Sequence, residues 1–460
     1  MSLLDAALAY ARAHEREALD ELITCLKLPS VSAQPRHAHD VAMCAAMLKN
    51  ALRSRGFTAE VIPTTGHPSV VGEWLQATGK PTVLIYAHYD VQPPEPLEEW
   101  HSPPFEPTVR EGKLFGRGSI DDKGQLFVHL KACEAYLTGA GALPVNVKVL
   151  FEGEEEIGSP HLGDVLASQR DRLRADVVVV SDTPMLERGK PAICYGLRGL
   201  CCLEIEVSGP SHDVHSGQFG GAVINPATVL VKLLAQLKDA KGRVTIPGFY
   251  AQVVPLTPAE RQVLAKIPLN PQVFLQAAGV TEERGEEGHT FFERIWARPT
   301  LDINGLSSGY QGEGAKTIIP ATASAKLSMR LVPNQDPGTI ASLTERYLKQ
   351  LCPSGVRMTV KHLGEGKPFL TPLTHPAMRA AERALKQGFG SEVSFIREGG
   401  SIPFVTAISE TLQVPCLLVG FGLPDENAHA PNEYLNLDHF HRGIRSMIHL
   451  YHEMAQLTLP

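Results

Sequence analysis

The chain has 460 residues, too many for one small core and enough for two or three domain-sized units. With 43% hydrophobic and 20% charged residues it has the composition of an ordinary globular protein, and a formal net charge of -7 argues against nucleic acid as a partner. Cysteines are scattered without a CxxC pair, the N-terminus lacks a signal pattern and no apolar run could span a bilayer, so a cytoplasmic protein without disulfides or a membrane partner is expected.

In chain order, residues 1–15 read as a helix. Leu19, Leu22, Ile23 and Leu26 then recur at helical spacing up to Pro29, and a second amphipathic helix over 41–52 closes at Gly56. Short apolar strands are expected at 69–71, 82–87, 145–151 and 177–180, with a helix over 125–137. Near-continuous apolar strands interleaved with helices indicate an α/β fold, a mixed and mostly parallel sheet covered on both faces. From about Gly196 the pattern turns to alternating β, first over 202–207 and again over 317–319, 325–332 and 357–362, with helices over 226–237 and 343–351. A polar, proline-rich insertion spans 247–288. These features predict a smaller α+β domain over 196–371, a candidate lid, set between two parts of a larger domain at 1–195 and 372–460.

Ligands of open α/β sheets gather beyond the carboxyl ends of the strands. There, 82–87 runs into His88-Tyr89-Asp90, 145–151 into Glu152-Gly153-Glu154-Glu155-Glu156, 177–180 into Ser181-Asp182, and 415–419 toward Ala428-His429-Ala430. Between the first two lies Gly116-Arg117-Gly118-Ser119-Ile120-Asp121-Asp122-Lys123-Gly124, with two adjacent carboxylates. Each segment alone has an ordinary explanation: a helix cap, a solvated helix start, a surface histidine. An acid or imidazole at the exit of every expected strand has a different one, a metal site. Two other motifs fail. Residues 309–317 resemble a P-loop with Ala315 where lysine must stand, and His14-Glu15 opens an HExxH whose second histidine position holds Ala18.

HYDVQP at 88–93, GRGSIDDKG at 116–124, EGEEEIGS at 152–159, SDTP at 181–184, HSGQFGG at 215–221, RLVPN at 330–334, REGGSIP at 397–403 and NAHAPNE at 427–433 together resemble the co-catalytic di-zinc peptidases. That family includes glutamate carboxypeptidase, aminoacylase and the carnosinases. The similarity is fullest to its cytosolic nonspecific dipeptidase and carnosinase branch, and it covers nearly the whole chain in order.

The resemblance implies a dipeptidase with two Zn2+ per subunit, Mn2+ or Co2+ being possible, and a small peptide as substrate. Asp121 would bridge the ions, with His88 and Asp182 completing one site and Glu156 and His429 the other. Asp90 would fix the His88 ring as its acceptor, and a cis peptide would follow Asp121. Glu155 would be the general base toward a water shared by the two ions, which lower its pKa. Arg330 would clamp the substrate carboxylate with Ser401 from the large domain and with Thr317, and His215 would donate to the developing oxyanion. The inserted domain would form a homodimer in which His215 reaches the neighbouring site. His212 departs from the branch pattern and carries no assigned role. An N-acyl-amino-acid amidohydrolase on the same site is the alternative activity, and a non-catalytic peptide or metal binder a third.

Overall fold

A computed structural model describes residues 1–458. It divides the chain into two compact units, one of Met1–Tyr195, Thr371–Ile396 and Phe404–Pro460, the other of Gly196–Leu370 and Arg397–Pro403. Among the described residues no helix is long and apolar enough to cross a membrane.

The first unit is built on a mixed sheet in the order Thr58–Ile62, Ser69–Trp74, Asn146–Glu152, Thr82–His88, Val177–Val180, Cys416–Leu418, Ala192–Leu197. The four middle strands are parallel: Thr82–His88 pairs with both Asn146–Glu152 and Val177–Val180, and Val177–Val180 with Cys416–Leu418. Antiparallel strands flank them. All of Val177–Val180, and all of Thr82–His88 after Thr82, is buried. Their unbroken apolar runs thus reflect cover on both faces. The helices Ala38–Ser54, Lys123–Glu134 and Pro376–Phe389 pack on this sheet, and Leu437–Met454 packs against the latter two. Lys123–Glu134 is buried almost all round. The Lys123 ammonium is satisfied by the carbonyl oxygens of Leu28 at 2.8 Å and Cys25 at 3.3 Å. Parallel strands send their carboxyl ends to one edge, so His88, Glu152, Asp182 and the 419–422 turn leave the sheet on the same side.

The second unit is an antiparallel four-stranded sheet in the order Thr300–Ser308, Thr322–Leu331, Gly199–Ser208, Arg357–Gly366. Alternation sets its core. Cys201, Leu203, Ile205 and Val207 point inward, together with Leu230 and Leu233 of the helix Pro226–Ala235 and Ile340 and Leu348 of the helix Pro337–Leu351. A two-stranded ribbon pairs Val214–His215 with Ile318–Ile319.

Candidate metal centre

His88 ends its strand fully buried. Its Nε2 lies 3.0 Å from Asp121 Oδ1, and its Nδ1 lies 3.1 Å from the backbone carbonyl oxygen of Asp90. Against the cost of burial, hydrogen bonds to Asp121 and Asp90 hold the His88 imidazole well above its usual range, so Nε2 donates to the Asp121 carboxylate here and a cation would take the place of that proton. The sequence pointed to the Asp90 carboxylate as the acceptor. Its Oδ1 stands 3.5 Å from Nδ1, while the two oxygens accept the backbone N–H groups of Glu155 at 3.2 Å and Glu156 at 3.1 Å. Asp90 thus meets the His88 ring through its carbonyl and, at longer range, its carboxylate, and the same carboxylate pins the Glu155–Glu156 turn.

The Asp121 loop lies hard against the start of the buried helix. A Cβ on Gly124 would stand 1.9 Å from the Ser119 carbonyl oxygen, so only glycine permits this approach. The Asp121–Asp122 peptide is cis. Asp122 turns inward and accepts the His88 N–H at 3.2 Å. Asp121 turns to the other side, and its Oδ2 lies 2.8 Å from His429 Nε2. That nitrogen is also 3.2 Å from Glu156 Oε2, which accepts from Gln92 at 2.7 Å. His429 sits at φ +64° in a tight turn, half exposed. Behind Asp182, buried His129 holds Ser181 at 2.8 Å, and burial drops its pKa to about 3, so the ring is neutral.

Two donor groups result. Ligand atoms of His88, Asp121 and Asp182 lie within 4.8 Å of one another, as do those of Asp121, Glu156 and His429. Asp121 belongs to both. Glu155 belongs to neither. Burial pushes the Glu155 carboxyl up to about 7, and the charges of Glu156, Asp121 and Asp90 add to this against the pull of His88. Burial, then the Asp121 charge, holds Asp182 well above the usual carboxylate range. Hydrogen bonds to Asp121 and Glu156 raise His429 to about 10. The residues fit a bound cation on two counts. Glu156 Oε1 is buried with no hydrogen-bond partner, and the Asp182 carboxyl, held protonated by burial and then by the Asp121 charge, ionises once positive charge sits beside it. A cavity of about 330 Å³, lined by Ile120, Asp121, Asp182, Thr183 and Leu423 among others, opens beside the group.

The other expected residues lie in the second unit and form two small groups. Arg330 Nη1 donates to Ser401 Oγ at 3.2 Å, and Ser401 donates to the Arg198 carbonyl at 2.6 Å. The bond to Arg198 explains why Ser401 clusters with this unit, where the sequence pointed to the large domain. Burial and the Arg330 charge lower the Arg198 guanidinium to about 10. Thr317 accepts the Ser216 N–H at 3.0 Å through its carbonyl, which ties it to the turn after His215. His215 is exposed, and its Nδ1 accepts the Gly217 N–H at 2.9 Å, so its proton resides on Nε2. Sequence reasoning missed Glu433, a buried acid at the end of the NAHAPNE stretch; its one signal was a carboxylate among loop residues.

The model of peptidase family M20/M25/M40 matches residues 84–453. The chain belongs to this family. It is 36% identical over 397 residues to the Cys-Gly metallodipeptidase dug1 of Schizosaccharomyces pombe, covering 85% of this chain and 83% of the relative. It is 30% identical over 474 residues to the Beta-Ala-His dipeptidase of Homo sapiens, covering 99% and 94%. Among solved structures it resembles the M20 family metallo-carboxypeptidase Sso-CP2 from Sulfolobus solfataricus, with a TM-score of 0.82 and 34% identity over 96% of this chain and 100% of that one. Both curated relatives are dipeptidases by name, the branch to which the motifs pointed. As an M20 member this chain is a metal-dependent peptidase on the α/β fold of that family.

Proposed function

We propose that the chain is a dipeptidase that hydrolyses small peptides bearing a free C-terminal carboxylate. The observation that carries this reading is the pair of donor groups sharing Asp121, with Glu155 beside them and in neither. His88, Asp121 and Asp182 would hold one ion, and Asp121, Glu156 and His429 a second. Mixed imidazole and carboxylate donors suit Zn2+, with Mn2+ or Co2+ able to substitute. Bound there, the ions supply Lewis acidity toward the scissile carbonyl and the attacking water.

The chain's own residues do the rest. Glu155, free of ligand duty, takes a proton from the water and returns it to the leaving nitrogen. Asp90 keeps Glu155 in register through its backbone amide. His215, with its proton on Nε2, donates where negative charge develops on the carbonyl oxygen. The Arg330 fork, braced by Ser401, binds the substrate carboxylate, and Thr317 contributes beside His215. The second unit would serve as lid and as the surface of a homodimer in which His215 completes the neighbouring site. A cytoplasmic setting is consistent with the eight free cysteines.

The test is metal-loaded protein against a matched dipeptide and its N-acetyl form. The dipeptide is expected to be cleaved, its acetylated form to be far slower, and chelation to abolish both. Preference for the acetylated substrate would make the chain an N-acyl-amino-acid amidohydrolase, which the dipeptidase names of its relatives argue against. Metal binding without turnover of either would leave a binder.

A further inference from the structure

The loop that presents Asp121 has little regular structure of its own, yet its backbone donors converge on one side chain from the far end of the chain. Glu433 Oε2 accepts the Gly118 N–H at 2.9 Å and Arg117 Nη1 at 2.7 Å, while Oε1 accepts the Ile120 N–H at 2.9 Å and the Asp121 N–H at 3.2 Å. Its own carbonyl accepts the Gly116 N–H at 3.0 Å. Glu433 and Arg117 are both buried, at 0% and 1% exposure. An ionised carboxylate is acceptor-only with about four lone-pair sites, and four donors fill them here. The Arg117 charge offsets part of the cost of burying this anion.

The placement matters as much as the count. Glu433 shares a short segment with His429, and that segment holds the loop bearing Asp121, whose Oδ2 lies 2.8 Å from His429 Nε2. One carboxylate thus fixes the spacing between a histidine and an aspartate 308 positions apart in the numbering of the chain, roughly the span of its own bond to Asp121 at 312. We propose that Glu433 is a positioning residue of this centre, which aims Asp121 between His88 and His429 and so sets the affinity of the site for its cations. The proposal rests on the reading of those residues as ligands.

Groups that orient ligands through hydrogen bonds change metal affinity by about 10–100-fold when altered. In Glu433→Gln one acceptor oxygen becomes an NH2 donor facing donors, and Glu433→Asp keeps the charge but falls a methylene short of the loop. Both are expected to weaken Zn2+ binding by about tenfold or more, measured by chelator competition on metal-stripped full-length protein. Ile448→Ala, a core truncation in the helix Leu437–Met454, controls for general destabilisation and is expected to bind Zn2+ as the unmodified chain does. If Glu433→Gln fails to fold, Glu433→Asp carries the same criterion. Unchanged affinity in the folded Glu433 variants, or a loss no greater than in Ile448→Ala at an equal drop in Tm, overturns the proposal and leaves a purely structural ion pair. Failure of the unmodified chain to bind Zn2+ overturns the ligand reading itself and the proposal with it.

Discussion

Replacing Glu155 by glutamine is the sharpest probe of the chemistry. The amide keeps the size of the side chain and removes its capacity to hold a proton. Because Glu155 is in neither donor group, metal content should be unchanged. A positioned general base is worth about 10²–10⁴ in rate, or roughly 2.7–5.4 kcal/mol at 1.36 kcal/mol per decade. The upper half of that range is expected here, since the nearest substitute acid is already engaged. Glu154 accepts the His67 N–H at 2.7 Å and faces His161 Nδ1 at 2.8 Å, so it cannot swing to replace its neighbour. The pH profile provides an independent check. Burial raises Glu155 to about 7 in the metal-free chain, and it acts as a base only when ionised, so kcat/KM should rise with pH through an acid limb. Cations bound beside it favour the carboxylate and move that limb below 7. In Glu155→Gln the limb should vanish along with the rate. The assay pairs dipeptide kinetics from pH 5 to 9 with metal content of the same samples. Activity within about threefold of the unmodified enzyme, well inside the smallest base effect, would refute the reasoning; so would loss of metal in step with activity.

Asp121→Ala should lower the occupancy of both ions, read by elemental analysis, because one carboxylate lies in both donor groups; full occupancy of either would exclude the bridge. Arg330→Lys keeps the charge but loses the planar fork, so KM for a dipeptide should rise about tenfold with a smaller change in kcat. A dipeptide and its C-terminal amide hydrolysed equally well by the unmodified enzyme would remove the case for a clamp. Co-expressing Glu155→Ala with His215→Ala should restore activity if His215 acts across a dimer, since one site of each mixed pair then escapes both lesions; a mixture that stays inactive would put His215 in its own subunit's site.

Much of the fold was legible because buried parallel strands leave long apolar runs, and the polar residues that end those runs are the ones brought together. Val177–Val180 ending before Asp182 is the plainest case. What escaped did so for physical reasons. The strand Thr300–Ser308 lies at a sheet edge, is mostly exposed and shifts register between Ile303 and Gly305, so its sequence carries no clean alternation. The helix Pro337–Leu351 starts earlier than its apolar spacing suggests, at a boundary set by Asp336 accepting the Thr339 N–H and by proline in the first turn. Two short helices within the insertion, Pro258–Ala265 and Pro271–Ala277, begin the same way after Thr257 and Asn270. Asp90 was legible as a carboxylate near His88, but not as the acceptor for two amides 65 and 66 positions away. Periodicity finds buried faces; it says little about which distant amide a buried acid will meet.

The strand Cys416–Leu418 lies between Val177–Val180 and Ala192–Leu197 in the sheet, though it comes more than two hundred positions after both. During synthesis those two earlier strands emerge with a slot between them and with facing rows of unpaired backbone groups. Such open edges attract other strands, including those of neighbouring nascent chains. The slot in the sheet cannot be filled, and His429 cannot meet Asp121, until residues 416–429 have left the ribosome. Chains cut short before His429 would therefore lose a donor of the Asp121, Glu156 and His429 group, although His88, Asp121 and Asp182 all lie in the part already made.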